Sequence, residues 1–235
     1  MRSLFYCCPA LLLALLAPLA RANTLTLSSS PGLAIPDGDL NGVADTISVS
    51  TPITSITSLT LTLNIQGGFD GDYYSYLTDG SGFAVLLNRI GRTSSNPFGS
   101  ANSGLSVTFS DTAPNGDIHL AGAGTGTLTG TWQPDGRNVN PTAAVDTDSR
   151  TATLGSFTGL NPNGLWTLYV VDASSVGVGT FEDWSLTING SGPGTSIPDG
   201  GRSSVLLALA MIPLIGMSTL VRRDGHPRYG VTRTR

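Results

Sequence analysis

Between residues 23 and 189 apolar and polar side chains alternate in short runs, and Gly, Pro, Asn and Asp break them before three helical turns can accumulate. The clearest run spans 58–65. Leu59, Leu61, Leu63 and Ile65 fall on one face of an extended chain and Thr60, Thr62 and Asn64 on the other, because strand side chains alternate with a period of two. Similar runs occupy 46–50, 73–77, 83–87, 105–110, 166–171 and 184–188, separated by turn sequences such as Asp79-Gly80-Ser81-Gly82 and Asn161-Pro162-Asn163-Gly164. This pattern predicts an all-β domain, an antiparallel β-sandwich or jelly roll. Trp166, Leu168 and Val170 share one face, as do Trp184, Leu186 and Ile188. Two tryptophan-led strands are therefore expected to fill one side of the core. The stretch 121–130, where Gly alternates with Ala, Thr and Leu, reads as either a low-complexity loop or a flat strand.

Two longer apolar runs flank this region. The first, 10–19, follows Met1-Arg2 and ends at Ala20-Arg21-Ala22, the layout of a secretory signal peptide over 1–22 that forms a signal helix and is removed before Asn23. Cys7 and Cys8, the only cysteines of the chain, both precede that apolar core. The mature protein then has no disulfide and no thiolate metal ligand. The second run, 205–221, is followed by Arg222-Arg223 and predicts a C-terminal transmembrane helix. Residues 190–196, Gly-Ser-Gly-Pro-Gly-Thr-Ser, have the composition of a linker between the 23–189 domain and this tail.

Charge separates along the same boundaries. Residues 23–196 carry four arginines against fourteen Asp and Glu, a net of −10, whereas the chain from 197 onward carries six arginines against two aspartates. A basic flank retained inside places the acidic domain outside, so the protein is expected to be exported to the cell surface or beyond, held at first in the inner membrane by 205–221. The chain has no lysine. That excludes a phosphate-cradling P-loop, and the acidic domain argues against a nucleic-acid partner.

Two stretches carry a resemblance. One is Gly71-Asp72-Tyr73-Tyr74-Ser75-Tyr76-Leu77-Thr78-Asp79-Gly80-Ser81-Gly82 with Leu86-Leu87-Asn88-Arg89. The other is Asn163-Gly164-Leu165-Trp166-Thr167-Leu168-Tyr169-Val170-Val171-Asp172 with Gly179-Thr180-Phe181-Glu182-Asp183-Trp184-Ser185-Leu186-Thr187-Ile188. Together they resemble the P domain, or homo B domain, that follows the subtilisin-like catalytic domain of furin- and kexin-type proprotein convertases. Shorter matches at Ile35-Pro36-Asp37, Val107-Thr108-Phe109 and Gly130-Thr131-Trp132 extend the likeness over most of 35–188. Tyr73 stands where the family often has Leu, Asp79 replaces its Pro, and residues 138–153 form an insertion. The tail has its own likeness. Ile197-Pro198-Asp199-Gly200-Gly201, the apolar run and Arg222-Arg223 resemble the Val-Pro-Asp-x-Gly variant of bacterial PEP-CTERM sorting signals, here over 197–223 with a basic tail at 224–235. That resemblance implies a membrane-embedded sorting or processing protease as a partner and an association with extracellular polysaccharide.

Chemistry is sparse. A subtilisin-type site needs Asp, His and Ser in one geometry, yet the domain has the single histidine His119, whose neighbours differ from those of the family's catalytic histidine and which reads as structural. Ser196 sits in Gly194-Thr195-Ser196, followed by Ile197-Pro198 rather than a helix. It has no base or oxyanion hole to act with. Neither catalytic nor organic-cofactor residues are therefore expected. Two sets of oxygen ligands are candidates for Ca2+. In the first, Asp37, Asp39, Asn41 and Asp45 occupy positions 1, 3, 5 and 9 around Gly42, as in a calcium loop, although position 12 is Ser48 and no helices flank it. The other reading of this stretch is an acidic solvated turn. The second set is Asp70, Asp72 and Asp172, which the two motifs would bring to one end of the sandwich.

The leading functional expectation is a non-catalytic, exported P-domain-like module that binds a surface protein or matrix polysaccharide. One alternative is an accessory domain that stabilises or targets a separately encoded subtilisin-like serine protease. Another is a carbohydrate-binding sandwich, for which Tyr73, Tyr74 and Tyr76 would have to form a flat, exposed platform.

Overall fold

The computed structural model describes residues 21–122 and 124–192. The apolar runs at 10–19 and 205–221, Ser196, the sorting motif and the basic tail lie outside the described residues. The strands are β1 (Arg21–Ser29), β2 (Leu33–Ile35), β3 (Asp39–Val49), β4 (Ser55–Gly67), β5 (Tyr73–Thr78), β6 (Phe83–Asn88), β7 (Leu105–Phe109), β8 (Leu128–Trp132), β9 (Gly164–Asp172) and β10 (Gly179–Gly192). They form two sheets. One has the order β1-β10-β4-β7-β8, with the short β2 also paired to β10, and the other the order β3-β9-β5-β6. All pairs are antiparallel except β7 with β8. The protein is an all-β sandwich.

Alternation along each strand decides what fills the space between the sheets. Leu59, Leu61, Leu63 and Ile65 of β4 face Trp166, Leu168 and Val170 of β9 in one buried cluster with Phe181, Trp184, Leu186 and Ile188 of β10. Residues 181 and 184 are three apart and by strict alternation would point to opposite faces. The register between β10 and β4 slips between Phe181 and Asp183. This bulge, with Glu182 as its extra residue, turns both rings inward, and both are completely buried. Each tryptophan N–H finds an acceptor, as buried indoles require. Trp166 Nε1 donates to the Pro162 carbonyl at 2.8 Å. Trp184 Nε1 donates to Asp45 Oδ2 at 2.7 Å, joining β10 of one sheet to β3 of the other.

Seven of the ten strands coincide with the alternating runs of the sequence. β3 and β10 are longer than those runs. β10 continues through Gly190 to Gly192, so the first three residues expected in the linker are strand, paired with β1 and packed against the 52–55 segment. β1 reaches back to Arg21 and Ala22; cleavage before Asn23 would remove only its outermost two residues. Of the two readings of 121–130, the strand holds from Leu128, where β8 runs parallel to β7. The 138–153 insertion lies over β6, tied by the Val85 N–H to the Ala152 carbonyl at 2.9 Å.

Gly42 marks where β3 buckles. The register to β9 shifts between Asp39 and Val43, Gly42 has φ +51°, and a Cβ there would overlap the Val170 carbonyl oxygen. The glycine at the sixth position of the supposed calcium loop is thus explained by close passage of two strands. Gly42→Ala is expected to destabilise the fold by about 1–3 kcal/mol, the usual cost of a strained left-handed residue, measured as a lowered urea midpoint; an unchanged midpoint would refute this packing role.

Candidate functional site

One end of the sandwich collects most of the unusual chemistry. There β4 ends at Gly67, β5 begins at Tyr73, β9 ends at Asp172 and β10 begins at Gly179. A single 3-10 turn, Asp70–Asp72, bridges the sheets. The loop 97–100 lies directly on this turn, because Gly71 has no side chain to hold it off and its N–H donates to the Ser100 carbonyl at 3.0 Å. Arg89 fastens the assembly from below. Its backbone is left-handed, φ 63°, and its buried guanidinium donates from Nε to the Gly71 carbonyl and from Nη2 to Asp72 Oδ1 at 3.3 Å and the Pro97 carbonyl at 3.5 Å.

Above the turn lies an open cleft of about 310 Å³ walled by Phe69, Phe98 and Val176, with Asp72, Ser174 and Ser175 among its polar lining. Phe98 is 74% exposed and Val176 70%. Val176 is also strained: its φ is 85°, a genuine outlier for a β-branched residue. Its N–H donates to Asp37 Oδ2 at 3.3 Å. A strained, exposed valine beside two exposed phenylalanines is costly to maintain, and such features concentrate at binding sites.

The carboxylates of this end repel one another. Burial first, then Asp72 and Asp37, push Asp172 up to about 6, against the pull of the Ser174 N–H and Arg89. Burial also raises Asp72, opposed by Arg89 and Ser174, with a further upward contribution from Asp37. Asp70 is pushed up to about 8 by burial alone.

The sequence-based ligand sets are rearranged by the fold. Asp37 lies in the turn at the cleft edge, and Asp39 Oδ1 caps its own turn by accepting from the Asn41 N–H and Nδ2, each at 2.9 Å. The carbonyls of Leu40 and Asn41 are taken by the Tyr169 hydroxyl. Asp45 lies well along β3 opposite Leu168, bonded to Trp184. Asp39 and Asp45 are spread along the buckled β3 instead of wrapping a centre. Their partners on β9, Asp172 and Leu168, are four residues apart, about 13 Å along the strand, too far for Asp39 and Asp45 to share one ion. Of the second set, Asp72 is engaged by Arg89 and Asp172 by the Ser174 N–H. Asp70 is the member left with both oxygens unpaired. Among the described residues, no three His, Cys, Asp or Glu side chains converge on one point.

His119 belongs elsewhere, to a buried ionic cluster under the insertion. Its ring lies 2.7 Å through Nδ1 from Asp135 Oδ2 and 2.8 Å through Nε2 from the Arg92 carbonyl. A carbonyl only accepts, so Nε2 carries a proton. Burial lowers the pKa of the imidazole, but the Asp135 bond and charge, together with the Arg92 carbonyl, outweigh it, and the net shift is upward. Arg137 bridges Asp117 at 2.9 Å and Asp135 at 3.2 Å, and also donates to the Asp146 carbonyl. With both nitrogens engaged and the side chain fully buried, the imidazole has no free lone pair to offer a substrate.

The tyrosines do not make a flat platform. Tyr73 is completely buried, with its hydroxyl donating to the Gly67 carbonyl at 2.8 Å. Tyr74 and Tyr76 lie half-buried on the other face, tilted 52° to each other, and Tyr76 is tilted 36° to Tyr169. The cleft residues Phe98 and Val176 and the buried Asn102 were not singled out by the sequence. Isolated in loops, they show no periodicity.

No protein-family model and no curated protein matches the chain. Among solved structures it is similar to the crystal structure of Aeromonas sobria serine protease (ASP) in complex with the chaperone (ORF2), at 15% identity and a TM-score of 0.43. The match covers 74% of this chain and 28% of that chain.

The histidine cluster sets a pH dependence. Unfolded His119 titrates near 6.5 and the folded residue above it, so its stabilisation is complete below about pH 6.5 and is lost as pH rises through the folded value. The melting-temperature gap between the native chain and His119→Gln is expected to be widest at pH 5.5–6.5 and to narrow towards pH 9; a gap that does not vary with pH would contradict this.

Proposed function

We infer that this protein is a non-catalytic, P-domain-like binding module of the exterior of the cell, and that it engages partners through the cleft of Phe69, Phe98 and Val176. The observation that carries this reading is the exposure of those three apolar side chains around one acidic cleft. Scattered single hydrophobics need no explanation, but adjacent ones on an otherwise polar loop end mark an interaction surface. The cleft lining includes Asp72, and Asp37 accepts from its rim. The domain as a whole carries a net charge of −10 over 23–196. The partner favoured by this surface is a protein segment in which an aromatic or aliphatic side chain adjoins an arginine or lysine. Apolar anchoring supplies affinity, and complementary charge supplies orientation and rate. The motifs around Asp72 and Asp172 support the P-domain likeness, and the signal-like and sorting-like ends support export.

Selection of a displayed peptide library on the purified chain tests the reading. Enriched peptides should pair a basic residue with an aromatic or aliphatic one, and Phe98→Ser should weaken their binding at least tenfold, the scale of an interface anchor, without changing the melting temperature. Enrichment without basic residues, or binding indifferent to Phe98→Ser, would sink the proposal. Peptide hydrolysis by the chain that disappeared in His119→Ala would overturn its non-catalytic part.

A further inference from the structure

Asp70 is a carboxylate with 0% exposure whose two oxygens both lack a hydrogen-bond partner among the described residues. An isolated buried carboxylate is among the least favourable groups a fold can contain, and one is retained only when something neutralises it. Its nearest cation by sequence and by the motif, Arg89, is aimed elsewhere, at Asp72, the Gly71 carbonyl and the Pro97 carbonyl. The residue bonded to its backbone carries a second orphan. The Asp70 N–H donates to the carbonyl of Asn102 at 3.0 Å, and the Asn102 side chain, 3% exposed, has its Nδ2 committed to the Gly122 carbonyl while Oδ1 has no partner. The glycine at 124 is packed against that same Oδ1, 2.6 Å from where a Cβ would stand.

We propose that Asp70 and Asn102 hold a hard divalent cation, calcium, between the Asp70–Asp72 turn and the loop at Asn102. The three unpaired atoms here, both Asp70 oxygens and Asn102 Oδ1, are all oxygens with free lone pairs, the ligand type a hard cation takes. Calcium takes neutral amide and carbonyl oxygens alongside a carboxylate and tolerates irregular geometry, whereas magnesium demands a strict octahedron and keeps its waters. One carboxylate with neutral oxygens belongs to the weak class of such sites, with Kd on the order of 10⁻⁴–10⁻³ M. The site is distinct from both sequence-based sets: it keeps Asp70, leaves Asp72 to Arg89, and adds Asn102. It stands independently of the binding role assigned to the cleft.

Thermal unfolding of the purified chain at neutral pH, in chelator, in 10 mM calcium and in 10 mM magnesium, decides the matter. Calcium at about ten- to a hundredfold above Kd should raise Tm by about 3–10 °C, and magnesium much less. Asp70→Asn should lose the calcium response, while Asp172→Asn should keep it. Should Asp70→Asn fail to fold, equilibrium dialysis of the native chain must give one calcium bound. A native Tm indifferent to calcium, absence of bound calcium in dialysis, or a response abolished by Asp172→Asn but not by Asp70→Asn would overturn the proposal.

Discussion

Two sheets must stay closed here without any covalent link between them, since the only cysteines are Cys7 and Cys8. Closure therefore rests on how completely the interior is filled. The bulge at Glu182 is the decisive local event, because it lets Phe181 and Trp184 both enter the core from one strand. Burying a large side chain contributes about 1.5–3 kcal/mol, comparable to a sizeable fraction of the net stability of a domain. The Trp184–Asp45 hydrogen bond adds direction to this non-directional force, fixing β3 against β10.

With the middle of the sandwich so fully committed to packing, polar burial is confined to its periphery, and there it is sorted. The cluster of His119, Asp135, Arg137 and Asp117 balances its charges internally and pins an insertion. The Asp70–Asp72 end does not balance. It combines unpaired buried oxygens, a left-handed Arg89, a left-handed Val176 and exposed aromatic rings. Local rules are satisfied nearly everywhere else in the domain, so their simultaneous breach in one place is informative about where binding is concentrated.

The legible part of the fold was what periodicity encodes. Leu59 to Ile65 alternate in sequence and alternate in burial, and the tryptophan strands do likewise beyond the bulge. β1 and β2 were not legible, and β8 only as one of two readings, for three separate reasons. β1 overlaps a segment that also reads as a cleavage site, β2 has three residues, and β8 pairs in parallel through a glycine-rich run whose side chains are mostly exposed. Acidic spacing misled where it resembled a loop: Asp37 to Asp45 looks like a ligand ladder until β3 extends it. Asp70 and Asp172 were legible as an acidic end because two motifs carry them. Asn102 was not, since it meets Asp70 only through a hydrogen bond spanning over thirty residues of chain.

The long strand β10 also fixes a mechanical relation. Its Gly192 end pairs with Arg21, so the two ends of the described chain leave the domain side by side, while its Gly179 end borders the loop end with Phe69 and Val176. Thirteen residue steps at about 3.3 Å separate them, roughly 40 Å. A load applied to both ends would peel β1 from β10 one residue pair at a time, starting from the outermost pair, Asn23 with Gly190 after cleavage at the expected site. The far end would be the last to feel it, so the outermost β1 pairs would serve as a mechanical fuse ahead of the cleft.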